Sequence, residues 1–397
     1  MCALWGALTG CSGGDASTGW EVSVDSSAGY PVVVNTPPGD VIAPTWELVE
    51  EVRIGAVEGT GPEVFGEIRG LAVLDDGRVA VLDYQAQAVR LFAPDGTWMR
   101  TFGGRGAGPG ELADANGLIA TADGHLLVHD PGNDRRTLFH PDSGLVATLP
   151  VDIRSYGYTW ASVEDERGVV WDTNVILLPD GGGRIDILQG MNRQGVLSDT
   201  VELGRRPPIS LQDEAPGAYR WSRPDGMGGG VMSVPFWPRG FRKLDGSGHF
   251  WQKAADVNDY RIARTTWAGD TTLVFESRRP TRPVEGAARD SAIEAIRERV
   301  QQELDWSRIP AERPVVEGLH VATDGRLWVH VGAPGQALHF DVFGPDGVYQ
   351  GTATTEMRLR PYMPPVIRGD TVWAMVTDEL DVPYVVRAVL REAEAAH

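Results

Sequence analysis

The chain is poor in cysteine. Its 397 residues include two, Cys2 and Cys11, both within the opening MCALWGALTGC. From residue 12 onward there is no disulfide, no thiol nucleophile and no cysteine-bound metal. Long apolar runs are missing too, and without 18 consecutive apolar residues no helix can cross a bilayer. Positive charge is scarce: 36 Lys and Arg stand against 55 Asp and Glu, a net charge of −19. That balance excludes a broad nucleic-acid footprint and repels anionic lipid headgroups. Catalytic signatures are lacking as well. There is no H-E-x-x-H, and the one G-x-S-x-G is Gly10-Cys11-Ser12-Gly13-Gly14, inside the leader.

Glycine and proline are plentiful, at 49 and 27 residues. The densest cluster is GGRGAGPGEL, residues 103–112. A phosphate-cradling loop needs free N–H groups and a following helix with Lys and a hydroxyl. Here Pro109 removes one N–H, Glu111 adds a negative charge, and no such helix follows. The loop belongs to a repeat instead. Shifted by 47 residues, Gly70, Leu71, Asp76, Gly77, Val81, Asp83, Leu91, Phe92, Pro94 and Asp95 all meet their own kind. Gly59-Thr60-Gly61-Pro62 likewise meets Gly106-Ala107-Gly108-Pro109.

Each copy reads as four short strands, because Asp-Gly between alternating apolar residues is a hairpin signal. Four strands in 40–50 residues is the pattern of a β-propeller blade. Four later copies carry a tryptophan three residues past the turn: Gly168 with Trp171, Gly248 with Trp251, Gly325 with Trp328, and Asp370 with Trp373. The first two copies have Ala80 and Leu127 there. These six units predict an all-β, six-bladed propeller, with the tryptophans packed between blades. The sixth unit stops after three strands, so residues 46–56 are expected to close the ring beside Leu390. YPVVVNT at 30–36 reads as a further strand outside it. The expected division is a signal at 1–11, a tether and N-terminal strand at 12–45, the propeller at 46–391, and a tail at 392–397.

Two connections are long, residues 205–239 and 278–316. The second contains a helical stretch with Ile293, Ile296, Val300 and Leu304 on one face, expected to lie against the propeller. Both insertions and the glycine loops join a fourth strand to the next first strand, so they share one face. The Asp-Gly turns occupy the other. Binding residues favour loops on a rigid scaffold, which makes Arg105, Tyr156, Tyr158, Trp160, Arg220, Trp221, Trp237, Arg239 and Tyr362 the ligand candidates. His320 joins them because its strand lines the channel. Asp83 and Asp130 recur after second strands, which favours loop hydrogen bonding over catalysis. His125 and His129, four residues apart on one strand, are about 13 Å apart and cannot share a zinc.

FGGRGAGPGEL, the Asp-Gly turns, HDPGNDRRTLF and PDSG together resemble the NHL repeat of six-bladed propellers. Leu8-Thr9-Gly10-Cys11 resembles a lipobox, with Cys11 as the lipidated residue and SGGDASTG as its tether. The chain is therefore similar to the six-bladed β-propeller lipoproteins of bacteria. That resemblance implies an extracytoplasmic, lipid-anchored protein in the periplasm or outer membrane. It implies a fold but no established activity. The expected role is a scaffold that binds a protein, peptide or carbohydrate on the insertion face, with no cofactor and no nucleic acid. The alternative is a channel-centred hydrolase or lyase of the lactonase type, and for that reading a calcium or zinc ion in the channel stays open. Three or more His, Asp, Glu or Asn side chains converging in the channel would favour the enzyme.

Overall fold

The computed structural model describes residues 19–150, 162–192, 194–208, 215–222, 229–300, 302–332, 337–360 and 362–393. Cys11, Tyr156, Tyr158 and Trp160 lie outside the described residues, as do the signal and the first seven residues of the tether, 12–18.

Three strands precede the first repeat: β1 (Glu21–Asp25), β2 (Val32–Thr36) and β3 (Trp46–Ile54). The first unit is β4 (Ile68–Val73), β5 (Val79–Asp83), β6 (Ala88–Phe92) and β7 (Trp98–Gly103). The second is β8 (Leu118–Ala120), β9 (Leu126–Asp130), β10 (Arg135–His140) and β11 (Gly144–Pro150). The third is β12 (Val163–Glu164), β13 (Val170–Leu177), β14 (Arg184–Met191) and β15 (Leu197–Arg206). A hairpin, β16 (Ala218–Ser222) with β17 (Gly229–Ser233), follows. The fourth unit is β18 (Phe241–Asp245), β19 (His249–Lys253), β20 (Arg261–Thr266) and β21 (Thr271–Ser277). Helix α1 (Gly286–Val300) leads to the fifth, β22 (Gly318–Val321), β23 (Leu327–Val331), β24 (Leu338–Phe343) and β25 (Tyr349–Thr355). The sixth is β26 (Val366–Arg368), β27 (Thr371–Thr377) and β28 (Pro383–Glu392).

Each unit is an antiparallel meander, and the arrangement is propeller-like. The turn glycines explain the hairpins. Gly77, Gly124, Gly168, Gly248 and Gly325 all have φ between 74° and 84°, where a side chain would be strained. In the sixth unit, where Asp370 replaces the glycine, Gly369 takes the positive φ of 55° one position earlier.

The sequence predicts six separate four-stranded sheets, but hydrogen bonding divides the strands differently. The first three units are four-stranded sheets, whereas the fourth is widened to six strands by β1 and β2. The fifth and sixth merge into one eight-stranded sheet. The merger has a local cause. Strand β3 pairs antiparallel with β28 along its length, with Leu48 opposite Leu390, and its first two residues also touch β25 through Trp46–Ala353 and Glu47–Thr354. The strand at residues 30–36 is present as β2, parallel to β21. Strand β1 lies within the stretch read as tether and pairs with β2.

The marker tryptophans are among the most buried side chains, at 1–2 % exposure, and each faces the next unit. Trp171 packs with Leu244 and Phe250, Trp251 with Leu319 and Val329, Trp328 with Ile367 and Val372, and Trp373 with Leu71 and Val73. Ala80 sits with Leu118 and Leu126. One residue position therefore supplies a repeated inter-sheet contact, and a tryptophan fills it with the largest apolar area available.

Asp83 and Asp130 act as loop anchors. Asp83 accepts from the backbone N–H groups of Gly66, Glu67, Gln85 and Ala86, and Asp130 from those of Ala113 and Asp114 and from Asn133 Nδ2. The glycine loop is tied by the protein's own groups. The Glu111 carboxylate accepts the Gly108 N–H at 2.7 Å, and Arg135 gathers the Ala107, Gly108 and Glu111 carbonyls.

The helix departs from expectation in its partner. Ile293, Ile296 and Leu304 pack with Tyr219, Met232, Val234, Phe236 and Trp237 of the other insertion. Tyr219 Oη donates to the Asp305 carbonyl, and Arg308 reaches the Ala215 and Pro216 carbonyls. The two insertions thus form one small cored module.

Candidate functional site

Strand direction fixes two faces. First strands run from the face bearing the long connections toward the Asp-Gly turns, and second strands run back. The module of hairpin and helix belongs to the first, or loop, face. Two concavities bear on function: a cleft between the third and fourth units, and the channel between the first strands.

The cleft exists because the third unit is long. Strands β13, β14 and β15 have 8, 8 and 10 residues, whereas β18 and β19 have 5 each. The far ends of the long strands project past their neighbour on the loop face. Near the turn face the two units close around Trp171, Trp267, Leu188 and Leu244. Toward the loop face they part, leaving about 1180 Å³. Ile187, Leu203, Leu244 and Phe250 form an apolar floor, and charged residues form the rim. Asp186 sits between Arg206 at 2.5 Å and Arg184 at 3.2 Å. The buried Lys253 donates to the Ala254 and Val257 carbonyls and lies 3.4 Å from Asp259. Arg242 stacks over the Phe250 ring at 5.3 Å. Within a strongly acidic chain this rim carries five basic residues and two acidic ones.

The channel is smaller, about 260 Å³, and its lining includes residues of all six first strands. His320 lines it, as its strand position predicts, and its neighbour in the ring is Lys243. Burial pushes the Lys243 ammonium down. His320 is lowered to about 3 by burial first, then by Lys243 and His330. Behind it His330 is lowered to about 4, again chiefly by burial, and lies 3.7 Å from Glu317. Glu317 itself is raised by burial, against the pull of Arg313 and Arg239. Among the described residues, no three His, Cys, Asp or Glu side chains converge to hold a metal ion.

The other described candidates spread around the loop face. Arg105 is exposed and donates to the Gln85 carbonyl. Arg220 and Trp221 stand on β16, with Trp221 against Gly230. Trp237 Nε1 donates to Asp256 at 2.7 Å. Arg239 precedes the cleft residue Gly240, and Tyr362 precedes the channel residue Met363. Sequence reasoning missed Lys243 and the whole cleft. One signal was available for Lys243: it stands five residues before Gly248, as His320 does before Gly325.

No family model matches the chain, and no curated protein does. Solved structures similar to it are propeller-type proteins. A "Putative exported protein" of Bacteroides fragilis NCTC 9343 is 11% identical, with 91% of this chain and 100% of that one covered and a TM-score of 0.48. Virginiamycin B lyase from Staphylococcus aureus is 12% identical over 82% of this chain and 95% of its own, at 0.41. The aldose sugar dehydrogenase of Streptomyces coelicolor is 11% identical over 88% and 100%, also at 0.41. At such identities these likenesses concern the fold and carry no activity to this chain.

Proposed function

We propose that this protein is a six-bladed, NHL-like propeller that works outside the cytoplasm, tethered by lipid at Cys11, and that it binds an acidic peptide segment in the cleft between the third and fourth units. Counting the eight-stranded sheet as two blades supports the number six, since only two residue pairs join its halves. The lipobox resemblance supports the tether.

The observation that carries the binding role is the cleft. Its volume suits a ligand of several residues, and its apolar floor and basic rim match an apolar body with carboxylates. Arginine presents a fork suited to carboxylates, which favours an acidic peptide over a neutral sugar.

The test is calorimetric titration with an acidic peptide library, on the natural chain and on two variants. Arg206→Ala with Arg242→Ala should weaken binding about tenfold. Replacing Arg220, Trp221, Trp237 and Arg239 by Ala should weaken it further if the insertion module forms part of the same surface. Binding that ignores both sets would refute the cleft. Stoichiometric bound metal with chelator-sensitive lactone hydrolysis would replace the scaffold by the channel-centred hydrolase.

A further inference from the structure

The chain contains only two lysines, Lys243 and Lys253, and every other basic side chain apart from histidine is arginine. Lys253 is explained by its two carbonyls and Asp259. Lys243 is not. It faces the channel, and its ammonium makes no hydrogen bond or ion pair among the described residues.

Its place in the repeat sharpens the anomaly. The residues five positions before each turn form one ring around the channel: Ala72, Ile119, Val163, Lys243, His320 and Pro365. Four are apolar. The two that are not belong to β18 and β22, which lie side by side. His320 Nδ1 is buried and also lacks a hydrogen-bond partner. In a chain with 55 acidic residues, no Asp or Glu lines the channel among the described residues. Two other polar lining groups are engaged: Ser162 with Asp172, and the terminal nitrogens of Arg368 with Asp75 and the Val73 carbonyl. An unpaired ammonium in an apolar setting is strongly unfavourable unless something completes it.

We infer that the channel is a binding site for a small carboxylate, held between the Lys243 ammonium and the His320 ring. A carboxylate supplies the missing charge. The ammonium pairs with it, and the His320 ring stands beside it as a neutral wall of the channel. Because the imidazole is neutral, one ligand charge balances one protein charge. The volume lies just below the roughly 300–1,000 Å³ of drug-sized sites, which suits a small ligand. Apolar walls favour a short hydrocarbon or keto tail. This site shares only Leu244 with the cleft, and Lys243 and His320 line the channel alone, so either site can fail without the other.

Having two lysines makes the test direct. The full chain is labelled with [13C]lysine and titrated with acetate, pyruvate and, as a control, chloride. The Lys243 signal should shift saturably with the carboxylates, while Lys253 stays still as an internal reference. Lys243→Met should weaken binding at least about tenfold, and His320→Phe several-fold. Lys243→Met should also melt no lower than the natural chain, because it removes an uncompensated charge from a largely apolar channel. Signals that move together, no saturation with either carboxylate, or equal saturation by chloride would each overturn the site. So would a Lys243→Met protein that binds as before or fails to fold.

Discussion

Two arginine–aspartate contacts in this molecule use the same chemistry for opposite ends. At the junction of the fourth and fifth units, Arg279 grips Asp341 through two bonds of 2.6 and 2.9 Å. Asp341 also accepts from Tyr260 and Thr352, and both charged side chains are at most 5 % exposed. Every acceptor is used, and the junction around it is closed by Phe343, Tyr349 and Phe275. At the junction of the third and fourth units, Asp186 also holds arginine, but Arg206 is 62% exposed and Arg184 37%. The first contact locks two sheets together. The second stands on a rim where the sheets have parted, and a ligand carboxylate can compete for its arginines. Burial and completeness, not residue type, separate a structural pair from an available one.

The sharpest way to break this contrast is Asp341→Ala. It strands Arg279 in the interior and should cost about 3–5 kcal/mol in urea unfolding. A loss below about 1 kcal/mol would place this junction in the same class as the exposed rim.

Acid offers a second lever through His129, which is buried on β9 and lowered to about 3, first by burial and then by Arg136. The unfolded chain takes up this proton near pH 6.5, whereas the folded chain resists until about 3. Stability is therefore full above pH 6.5 and falls as pH drops through that window, by about 2 kcal/mol at pH 5. His129→Phe should flatten this loss. Unfolding at pH 7 and pH 5 measures it, and an unchanged slope would remove His129 as the cause.

The rim should behave oppositely. Arg206→Ala with Arg242→Ala should leave stability within about 0.5 kcal/mol while weakening acidic peptide binding. The smallest effect expected is that of salt. Raising ionic strength should weaken peptide binding at the rim, yet barely move the midpoint of a chain whose Asp341 pair is shielded from solvent. Equal salt sensitivity in both readouts would erase the distinction.

Much of this architecture was written locally. Asp-Gly turns, the recurring Asp83 and Asp130, and the tryptophan spacing are short-range signals, each tied to one backbone requirement or one packing position. The closing strand was legible because its partner unit lacked a fourth strand. The cleft was not, because it depends on a difference in strand length between adjacent units, and no residue announces that. The contact between α1 and the β16–β17 hairpin joins segments far apart in sequence, and its hairpin is rich in glycine and proline, so periodicity gave no warning. Of the ring candidates, His320 was visible as a histidine on a first strand, whereas Lys243 became visible only when all six units were brought into register.

The path of the N-terminal segment has a mechanical consequence. Strands β1 and β2 lie along the rim of the fourth unit, and the chain then crosses to β3, which is knitted into the last unit. Asn35 pins this crossing by donating to the Gly347 carbonyl and accepting from Tyr349 N–H. A pull applied ahead of Glu21 would reach β1 and β2 first, and only after they peeled away would the load fall on the strand that closes the ring. The outer pair is thus placed as a clasp, loaded ahead of the strand that pairs with the last unit.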